Sequence, residues 1–465
     1  MMPQTNTTPT AFIDPSIETP VLMTDMYEYT MLEAAMQDGT ASRPCVFEVY
    51  ARHLPNGRRY GVVAGLGRLL TALQNFRPNE QQIQFLCDRH IISPVTAQWL
   101  ENYTFHGSIR AYPEGELYFP NSPLLQVEST FAEGTLLETL ILSILNYDSA
   151  IASAASRIAT AAGNRPCFDM GARRMNESAS IAAARAAIIG GFEGTSNLAA
   201  AMRYDLPCIG TSAHAFTLVH DSEEEAFRSQ IHALGEQTTL LTDTYDMSEA
   251  IRTAINVAGH NLGCVRIDSG DLAHMARAAR QELDSLGATE TKITVTNDLD
   301  EYAIAALQNA PVDSYGVGTR LVTGSGYPTC GMVYKLVERQ GGDGVMHPVA
   351  KKSFGKQTIG WRKDAYRVYT ADEAHNGIAE LELVCAGTRE KLDSLSLDGI
   401  VGPTEDVRNL LITAIDHGTV NMELTSHQAL YAARGWRKHQ LEELPLTALG
   451  LSQDDPVLST QIIEL

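Results

Sequence analysis

The chain has 465 residues, 44% hydrophobic and 20% charged, which is the composition of an ordinary soluble protein long enough to fold into two or three lobes. Its 35 Lys and Arg residues oppose 56 Asp and Glu residues, giving a formal net charge of -21. Such a charge disfavours binding to nucleic acid or to an anionic membrane, and no long Lys/Arg run offsets it.

The seven cysteines are scattered along the chain, and none forms a Cys-x-x-Cys pair. This pattern predicts buried thiols in a reducing compartment, with neither a disulfide framework nor a zinc site. Residues 1–20 are rich in Thr and Pro and lack the basic start and apolar core of a signal peptide, so we expect a flexible lead. No apolar run approaches the length of a membrane span. We therefore expect a cytoplasmic protein.

Residues 21–140 predict an N-terminal α+β lobe. Thr24 or Asp25 is expected to cap its first helix, which runs through Met36. Residues 45–50 alternate in polarity, as strands of an antiparallel sheet do, and short helical patterns follow. A long helix rich in Leu, Ile and Ala at 136–162 is apolar enough to be largely buried.

From Pro166 onward, short apolar runs end in Gly, Asp, Thr or Ser and precede helical patterns, recurring roughly every 20 to 30 residues. The runs are residues 167–171, 188–194, 208–211, 239–244, 264–271, 293–298 and 312–319. They predict an irregular parallel α/β barrel of the TIM type over residues 141–345. A doubly wound open sheet is the alternative. The barrel is favoured because polar, functional-looking residues follow nearly every run, whereas an open sheet concentrates them at one switch point.

Residues 346–465 form a C-terminal segment that is expected to return to the N-terminal lobe and to end in helices. Alternating polarity at 366–369 and 379–384 predicts strands that join the sheet of that lobe. The tail from residue 404 is predicted to be helical, with an acidic surface. The predicted fold is therefore an α/β barrel plus an α+β lobe built from both ends of the chain.

A histidine leaves the predicted strand at 208–211. His214 stands among Gly, Ala and hydroxyl residues, which give its ring an open, polar approach. On its own, such a residue is most often a loop histidine that bonds a backbone carbonyl. A carboxylate that fixes its tautomer favours a nucleophilic role, and Asp243, at the end of the next strand, is the candidate.

Three arginines, Arg173, Arg174 and Arg266, stand at or near the ends of predicted strands. Because the carboxyl ends of parallel strands meet at one edge of a barrel, we expect these side chains to converge on an anionic ligand. Guanidinium groups bind carboxylate or phosphate in bidentate fashion, contributing about 1.5–3 kcal/mol per charged hydrogen bond.

The last predicted strand, 312–319, ends in Gly-Val-Gly-Thr. These residues let backbone N–H groups approach a phosphate, although a simple tight turn has the same sequence. Asp268, Asp271 and Asp298 suit Mg²⁺ held through water beside a pyrophosphate, since that ion usually keeps several waters. The alternative role for these aspartates is helix N-capping.

Five segments, in this order, resemble the motifs of the nicotinate phosphoribosyltransferase family. They are residues 24–27 (Thr-Asp-Met-Tyr), 168–174 (Phe-Asp-Met-Gly-Ala-Arg-Arg), 210–214 (Gly-Thr-Ser-Ala-His), 266–271 (Arg-Ile-Asp-Ser-Gly-Asp) and 316–319 (Gly-Val-Gly-Thr). The resemblance implies a homodimer, with active sites at its interface, that joins nicotinate to 5-phosphoribosyl 1-pyrophosphate. The products are nicotinate mononucleotide, for NAD synthesis, and pyrophosphate. It also implies Mg²⁺ and coupling to ATP hydrolysis through a phosphohistidine.

The resemblance further implies roles for individual residues. His214 is expected to be phosphorylated, Tyr27 to stack on the pyridine ring from the partner subunit, and Thr211 to line the nicotinate pocket. Arg266 is expected to face the nicotinate and, with His214, Asp243 and Asp268, to form the catalytic group. The remaining expected contacts are Asp268 (ribose or metal), Thr319 (5-phosphate), and Arg173, Arg174, Ser269, Gly270, Gly316 and Gly318 (other substrate contacts).

Two alternatives stay open at this point. A nicotinamide phosphoribosyltransferase is the nearest enzymatic one, although a fixed cation at Arg266 favours the anionic nicotinate. A catalytically silent barrel that binds nucleotides as a sensor is the other. Residues 353–363 diverge from the family's ligand-binding loop, so no substrate contact is assigned to them.

Overall fold

The computed structural model describes residues 19–351, 359–370, 377–402 and 405–465. The predicted lead at 1–18 and the part of the divergent loop at 353–358 lie outside the described residues. Within the described ranges, no helix is both long enough and apolar enough to cross a membrane.

Helices and strands alternate along most of the chain. The helices are α1 (Met26–Asp38), α2 (Leu66–Gln74), α3 (Glu80–Asp88), α4 (Pro94–Glu101), α5 (Phe131–Thr135), α6 (Glu138–Ala162), α7 (Glu177–Ile189), α8 (Leu198–Tyr204), α9 (His214–Leu218), α10 (Glu223–Leu234), α11 (Met247–Ala258), α12 (Leu272–Ser285), α13 (Glu301–Ala306), α14 (Thr319–Val322), α15 (Arg389–Asp393) and α16 (His427–Glu442). The strands are β1 (Pro44–Ala51), β2 (Gly61–Val62), β3 (Ser108–Ala111), β4 (Leu117–Tyr118), β5 (Leu125–Thr130), β6 (Cys167–Asp169), β7 (Gly194–Thr195), β8 (Thr239–Leu241), β9 (Cys264–Ile267), β10 (Lys292–Val295), β11 (Ser314–Val317), β12 (Met332–Gln340), β13 (Met346–Pro348), β14 (Arg362–Thr370), β15 (Ala379–Gly387), β16 (Glu405–Asn409), β17 (Ile412–Asp416), β18 (Thr419–Val420) and β19 (Ser459–Glu464).

A seven-stranded antiparallel sheet, in the order β13-β12-β1-β5-β3-β17-β18, forms the first lobe. Strands from late in the chain flank the three early strands on both sides, because β12 pairs with β1 and β17 pairs with β3. β1 is buried along almost its whole length, which explains its run of apolar residues. This lobe is thus completed by segments far along the sequence.

The C-terminal prediction was wrong in two respects. The strands predicted at 366–369 and 379–384 exist, but they pair in a separate four-stranded sheet, β16-β14-β15-β19, instead of joining the first sheet. The tail predicted to be helical contains α16 and also four strands, β16 to β19. Ion pairs connect this sheet to the first lobe, among them Lys363 Nζ with Glu48 at 2.8 Å. The prediction of a helical tail failed because β17, β18 and β19 are short and partly exposed, so they leave only a weak strand signal in the sequence.

The second lobe is a six-stranded, all-parallel sheet in the order β7-β6-β11-β10-β9-β8. Beyond β7, Thr195 N donates to Pro207 O and Thr195 O accepts from Ile209 N, both at 3.0 Å. The ladder does not continue from Cys208 to β8 within the described residues, so a closed barrel is not confirmed and the sheet is a parallel half-barrel. Residues 210–213 leave the sheet as coil.

The predicted run at 188–194 is also corrected. Ile188 and Ile189 belong to the end of α7, and the strand is only Gly194 and Thr195. A short apolar run cannot be assigned to helix or strand by periodicity alone. Close packing of α7 on α6 explains the apolar run, since Gly190 lies so near α6 that a Cβ would come 2.6 Å from Ala152 O.

Helices cover the parallel strands, most of whose apolar side chains are fully buried. Val265, Ile267, Ile293, Val295 and Val317 show no exposed surface, and α6 contributes a continuous buried face to the same core. Because all six strands run in one direction, their carboxyl ends lie along one edge of the sheet.

Candidate active site

A pocket of about 500 Å³ opens at the carboxyl-terminal edge of the parallel sheet. Residues at or just beyond the ends of the strands form its walls, together with the coil that leads into α9. They are Met170, Ala172, Arg173, Arg174, Ser196, Ile209, Gly210, Thr211, Ser212, Ala213, His214, Leu241, Arg266, Asp268, Thr296, Asn297, Asp298, Gly316, Gly318 and Thr319. The fold thus gathers into one cavity residues that are up to about 150 positions apart in the sequence.

The turn after β6 presents two arginines to the pocket. Arg173 and Arg174 are exposed, and neither has an ion-pair partner in the described part of the chain. Asp169 holds the base of the turn, because Oδ1 accepts from Gly171 N at 2.8 Å and Oδ2 accepts from Thr195 Oγ1 at 2.6 Å. Burial raises the pKa of Asp169, and these two hydrogen bonds oppose that shift. Because Arg173 and Arg174 are exposed and form no ion pair with a described residue, their guanidinium groups are available to an anion.

The start of α14 and the end of β11 form the neighbouring wall. A Cβ at Gly316 would lie 2.5 Å from Met170 Sδ and 2.6 Å from Thr296 Cγ2, so only glycine fits there without displacement. Gly318 has more room, and Thr319 follows it as the first residue of α14. This wall exposes backbone and one hydroxyl to the pocket, a surface that suits phosphate oxygens.

Arg266 is held in a fixed position on the floor of the pocket. Its Nε donates to Thr296 Oγ1 at 3.1 Å, and its Nη1 donates to Thr211 Oγ1 at 2.7 Å. Its Nη2 pairs with Asp268 Oδ2 at 3.2 Å, and the other oxygen of Asp268 accepts from Thr296 Oγ1. With 13% of its side chain exposed, Arg266 presents an oriented positive charge to the pocket.

His214 is the first residue of α9, and 40% of its side chain is exposed. Its Nδ1 lies 3.1 Å from Thr244 Oγ1, and its Nε2 lies 3.9 Å from Asp243 Oδ1. The Asp243 side chain is only 3% exposed, and its Oδ1 is buried with no hydrogen-bond partner. Its Oδ2 accepts from Asp268 N and from Ser269 Oγ, both at 2.7 Å. A buried carboxylate oxygen therefore faces the histidine ring.

Five of the predicted site residues do not line this pocket. Asp243 lies behind its wall and accepts a hydrogen bond from Ser269, which is exposed just after β9. Gly270 and Asp271 are exposed in the turn after β9, where Asp271 caps α12 by accepting from His274 N at 3.0 Å. Tyr27 lies in the first turn of α1 and is 42% exposed; burial of the rest of the ring and the nearby Glu138 carboxylate raise its pKa.

Sequence reasoning missed four polar residues of this site, namely Ser196, Thr244, Thr296 and Asn297. Each follows the end of a strand, so position alone was a usable signal. Thr296 anchors both Arg266 and Asp268, and no local motif indicates that role. Asn297 adopts a φ of 97°, a conformation uncommon outside glycine, which sequence does not reveal.

Two carboxylates, Asp268 and Asp298, belong to the pocket wall. Across the described ranges, no group of three or more His, Cys, Asp and Glu residues is arranged to hold a metal ion. An all-protein metal cage is thus not found there. One or two carboxylates are the usual protein share for a Mg²⁺ that also binds substrate phosphates, and the pocket wall fits that requirement.

A parallel α/β sheet whose carboxyl edge carries an arginine- and hydroxyl-lined pocket is typical of an enzyme that acts on anionic substrates. Two family models match the chain: the nicotinate phosphoribosyltransferase N-terminal domain over residues 22–146 and the nicotinate phosphoribosyltransferase family over residues 166–364. The chain belongs to the nicotinate phosphoribosyltransferase family.

Similar proteins agree with this membership. A nicotinate phosphoribosyltransferase of Mycobacterium tuberculosis is 50% identical over 450 residues, which is 95% of each chain. One of Bacillus subtilis is 37% identical over 366 residues, covering 76% of this chain and 74% of the relative. The fold is similar to that of human nicotinic acid phosphoribosyltransferase, with a TM-score of 0.77, 24% identity, and coverage of 95% of this chain and 97% of the human one.

Proposed function

We propose that this chain joins nicotinate to 5-phosphoribosyl 1-pyrophosphate, giving nicotinate mononucleotide and pyrophosphate in NAD salvage. The observation that carries the proposal is that one pocket holds one arginine fixed by its neighbours and two arginines that have no ion-pair partner among the residues the structure describes. Arg266 suits the single carboxylate of nicotinate, while Arg173 and Arg174 suit the more highly charged pyrophosphate.

In the transfer step, the pyridine nitrogen attacks C1 of the ribose, and the bond from C1 to the pyrophosphate oxygen breaks. The electron pair leaves with pyrophosphate, so the site must stabilise a departing anion and hold the ring in line. Thr211 and Arg266, which bond to each other at 2.7 Å, orient the base. Gly318 and Thr319 receive the 5-phosphate. Asp268 and Asp298 would hold Mg²⁺ through water, and that ion would offset the charge of the pyrophosphate.

His214 couples the reaction to ATP. Asp243 Oδ1 faces Nε2 and therefore favours the tautomer in which Nε2 carries the proton. In that tautomer the lone pair of Nδ1 is the nucleophile. Nδ1 attacks the γ-phosphorus, the bond to ADP breaks, and a P–N bond forms. Water later cleaves that bond and releases inorganic phosphate. The phosphorylated state adds about two negative charges beside the phosphate-binding wall, so it must alter the affinity of the pocket for its substrates.

The proposed enzyme is a homodimer in which Tyr27 completes the pocket of the partner subunit. Tyr27 does not line the pocket of its own chain, and it is exposed beside Met23 and Met26, which are 52% and 61% exposed. Three exposed apolar side chains at one helix start suit burial against a second copy. Mixing Tyr27→Ala with His214→Ala chains tests this arrangement. Action across the interface predicts recovery of about a quarter of the ATP-stimulated activity, whereas action within one chain predicts no recovery.

A coupled pyrophosphate assay tests the reaction. We expect pyrophosphate release with nicotinate and little with nicotinamide when the two bases compete for the labelled sugar. Saturable binding of the sugar donor with no pyrophosphate release would contradict the proposal and favour a nucleotide sensor. Faster release with nicotinamide would favour the amide-using enzyme.

The His214→Ala variant tests the coupling. We expect loss of ATP stimulation and of most ATP hydrolysis, with a weaker basal transfer remaining. The matched control is His220→Ala. His220 lies just after α9, bonds the carbonyl of Phe216 and does not line the pocket. ATP coupling that survives in His214→Ala would refute the role of this residue.

A further inference from the structure

A second cavity, of about 1050 Å³, lies at the opposite, amino-terminal edge of the parallel sheet. It is bounded by the end of α6, the residues just before β6 and β7, and α16 with the segment that follows it. It is larger than the pocket at the carboxyl edge, and the proposed reaction makes no use of it.

A buried cation without a counter-charge lines this second cavity. Arg437 is 7% exposed, and no carboxylate within the described ranges lies in ion-pair distance of it. Its Nε is buried with no acceptor, and its Nη1 makes one long hydrogen bond, 3.4 Å, to Ser156 Oγ. Burial lowers the pKa of Arg437, which reflects the cost of this uncompensated charge.

The local backbone is shaped around this guanidinium. Gly191 has a φ of 103°, and a Cβ there would overlap Arg437 Nη2. The fold therefore keeps a glycine in a left-handed conformation where the arginine packs. A buried arginine whose Nε lacks an acceptor, packed against a backbone that leaves room for the side chain, is typical of an anion-binding site.

The charge balance of the cavity is positive on a protein whose formal net charge is -21. Four cations line it (Arg165, Arg434, Arg437 and Lys438) against two carboxylates (Glu193 and Glu442). Arg434 pairs with Glu193, and Arg165 bonds only neutral oxygens, at 2.8–3.2 Å. The carboxyl ends of α6 and α7 add about half a negative charge each, which leaves a surplus of about one positive charge.

An apolar rim adjoins the cations. Tyr431 and Leu441 lie on α16, and the following segment contributes Leu446 and Leu449, which are 85% and 36% exposed. Exposed leucines beside a tyrosine offer a surface for a flat ring. The cavity volume exceeds that needed for a mononucleotide.

From these observations we infer that the second cavity binds a nucleotide, with its phosphate on Arg437 and its base on the rim formed by Tyr431 and Leu446. The inference does not depend on the proposed reaction. The two cavities share strands, because Cys167 at the start of β6 lines the second cavity while Met170, just after that strand, lines the first. The strand between them is three residues long, about 10 Å.

Equilibrium dialysis with AMP and with inorganic pyrophosphate tests the inference in the full chain. The background variant Arg173→Gln/Arg174→Gln weakens anion binding at the first pocket. In that background we expect AMP to bind, and Arg437→Gln to weaken its binding about ten- to a hundred-fold. Arg252→Gln, an exposed arginine of α11 paired with Glu282, is the control and should leave AMP binding unchanged.

Thermal unfolding without added ligand separates a binding role from a structural one. Among the described residues Arg437 has no ion-pair partner to lose and only the long hydrogen bond to Ser156, so Arg437→Gln should leave the Tm unchanged or higher. Leu446→Ala should weaken AMP binding but not pyrophosphate binding. The inference is overturned if neither probe binds in the background variant, or if Arg437→Gln lowers the ligand-free Tm by several degrees while AMP affinity stays the same. Pyrophosphate that binds as tightly as AMP would exclude a nucleotide site.

Discussion

Asp243→Asn removes the negative charge behind His214 and keeps the shape of the side chain. The amide oxygen of asparagine can still accept the hydrogen bonds from Asp268 N and Ser269 Oγ. What changes is the group that faces Nε2 of His214, because a neutral amide replaces a carboxylate oxygen with no other partner. The substitution therefore tests whether this charge supports phosphorylation of the ring.

The magnitude follows from the geometry. Two unit charges at the observed 3.9 Å attract each other by about 4 kcal/mol at an effective dielectric constant of 20. His214 is 40% exposed, so water screens part of this attraction, and about 2–4 kcal/mol is the expected loss for a positively charged ring in the transition state. That range corresponds to roughly a 30- to 1000-fold slower phosphorylation.

The assay is the retention of label from ATP labelled in the γ-phosphate, together with the rate of ATP hydrolysis and the rate of transfer without ATP. We expect the first two to fall by the stated factor and the basal transfer to fall less than about tenfold, since the pocket wall keeps its hydrogen bonds. Asp221→Asn is the matched control, because it removes an exposed carboxylate that follows α9 and does not line the pocket. Label retention that is unchanged in Asp243→Asn, or that falls equally in the control, would refute the reasoning.

Two further predictions concern pH and packing. Burial raises the pKa of Glu223 to about 7, and repulsion from Asp246 and Glu249 adds to the shift. The folded state therefore favours the protonated carboxyl group. Stability of the fold is lost as the pH rises from about 4.5 through 7. Glu223→Gln should therefore raise the free energy of unfolding in urea by about 1–2 kcal/mol at pH 8 and by little at pH 5; equal gains at both pH values would contradict this. Gly316→Ala should lower the free energy of unfolding by about 1–3 kcal/mol. It should also raise the KM for nicotinate, because the new Cβ displaces Thr296, which anchors Arg266. An unchanged KM would contradict this and show that only Met170 moves.

The site could be approached from sequence because parallel strands leave a simple signature. Each strand is buried on both faces and reads as a short apolar run, and the residue after the run lies at the common edge. His214, Arg266 and Thr319 were found in this way, and all line the pocket. Whether each performs its assigned chemistry remains a prediction.

What sequence could not supply was the pairing of distant strands. Nothing in residues 207–213 indicates that only Pro207 and Ile209 bond to Thr195 before the chain turns away, which leaves the parallel sheet open. Similarly, the residues at 366–369 and 379–384 alternate in polarity as in any amphipathic strand. Such alternation does not determine which other strand each one pairs with. Thr296 was missed because its role arises from two side chains that reach it only in the folded protein.

The pairing of early strands with late strands at both sides of the first sheet has a consequence for synthesis. β1 is bonded on one edge to β5, but its other edge is bonded to β12, where Cys45 pairs with Arg339, about 300 residues later along the chain. A ribosome that adds roughly 5–20 residues per second leaves that edge open for about 15 to 60 seconds. An apolar strand with unpaired backbone groups is a template for aggregation during that interval. The nascent chain is therefore expected to need a chaperone until β12 emerges, although the finished protein buries every residue of β1 after Pro44.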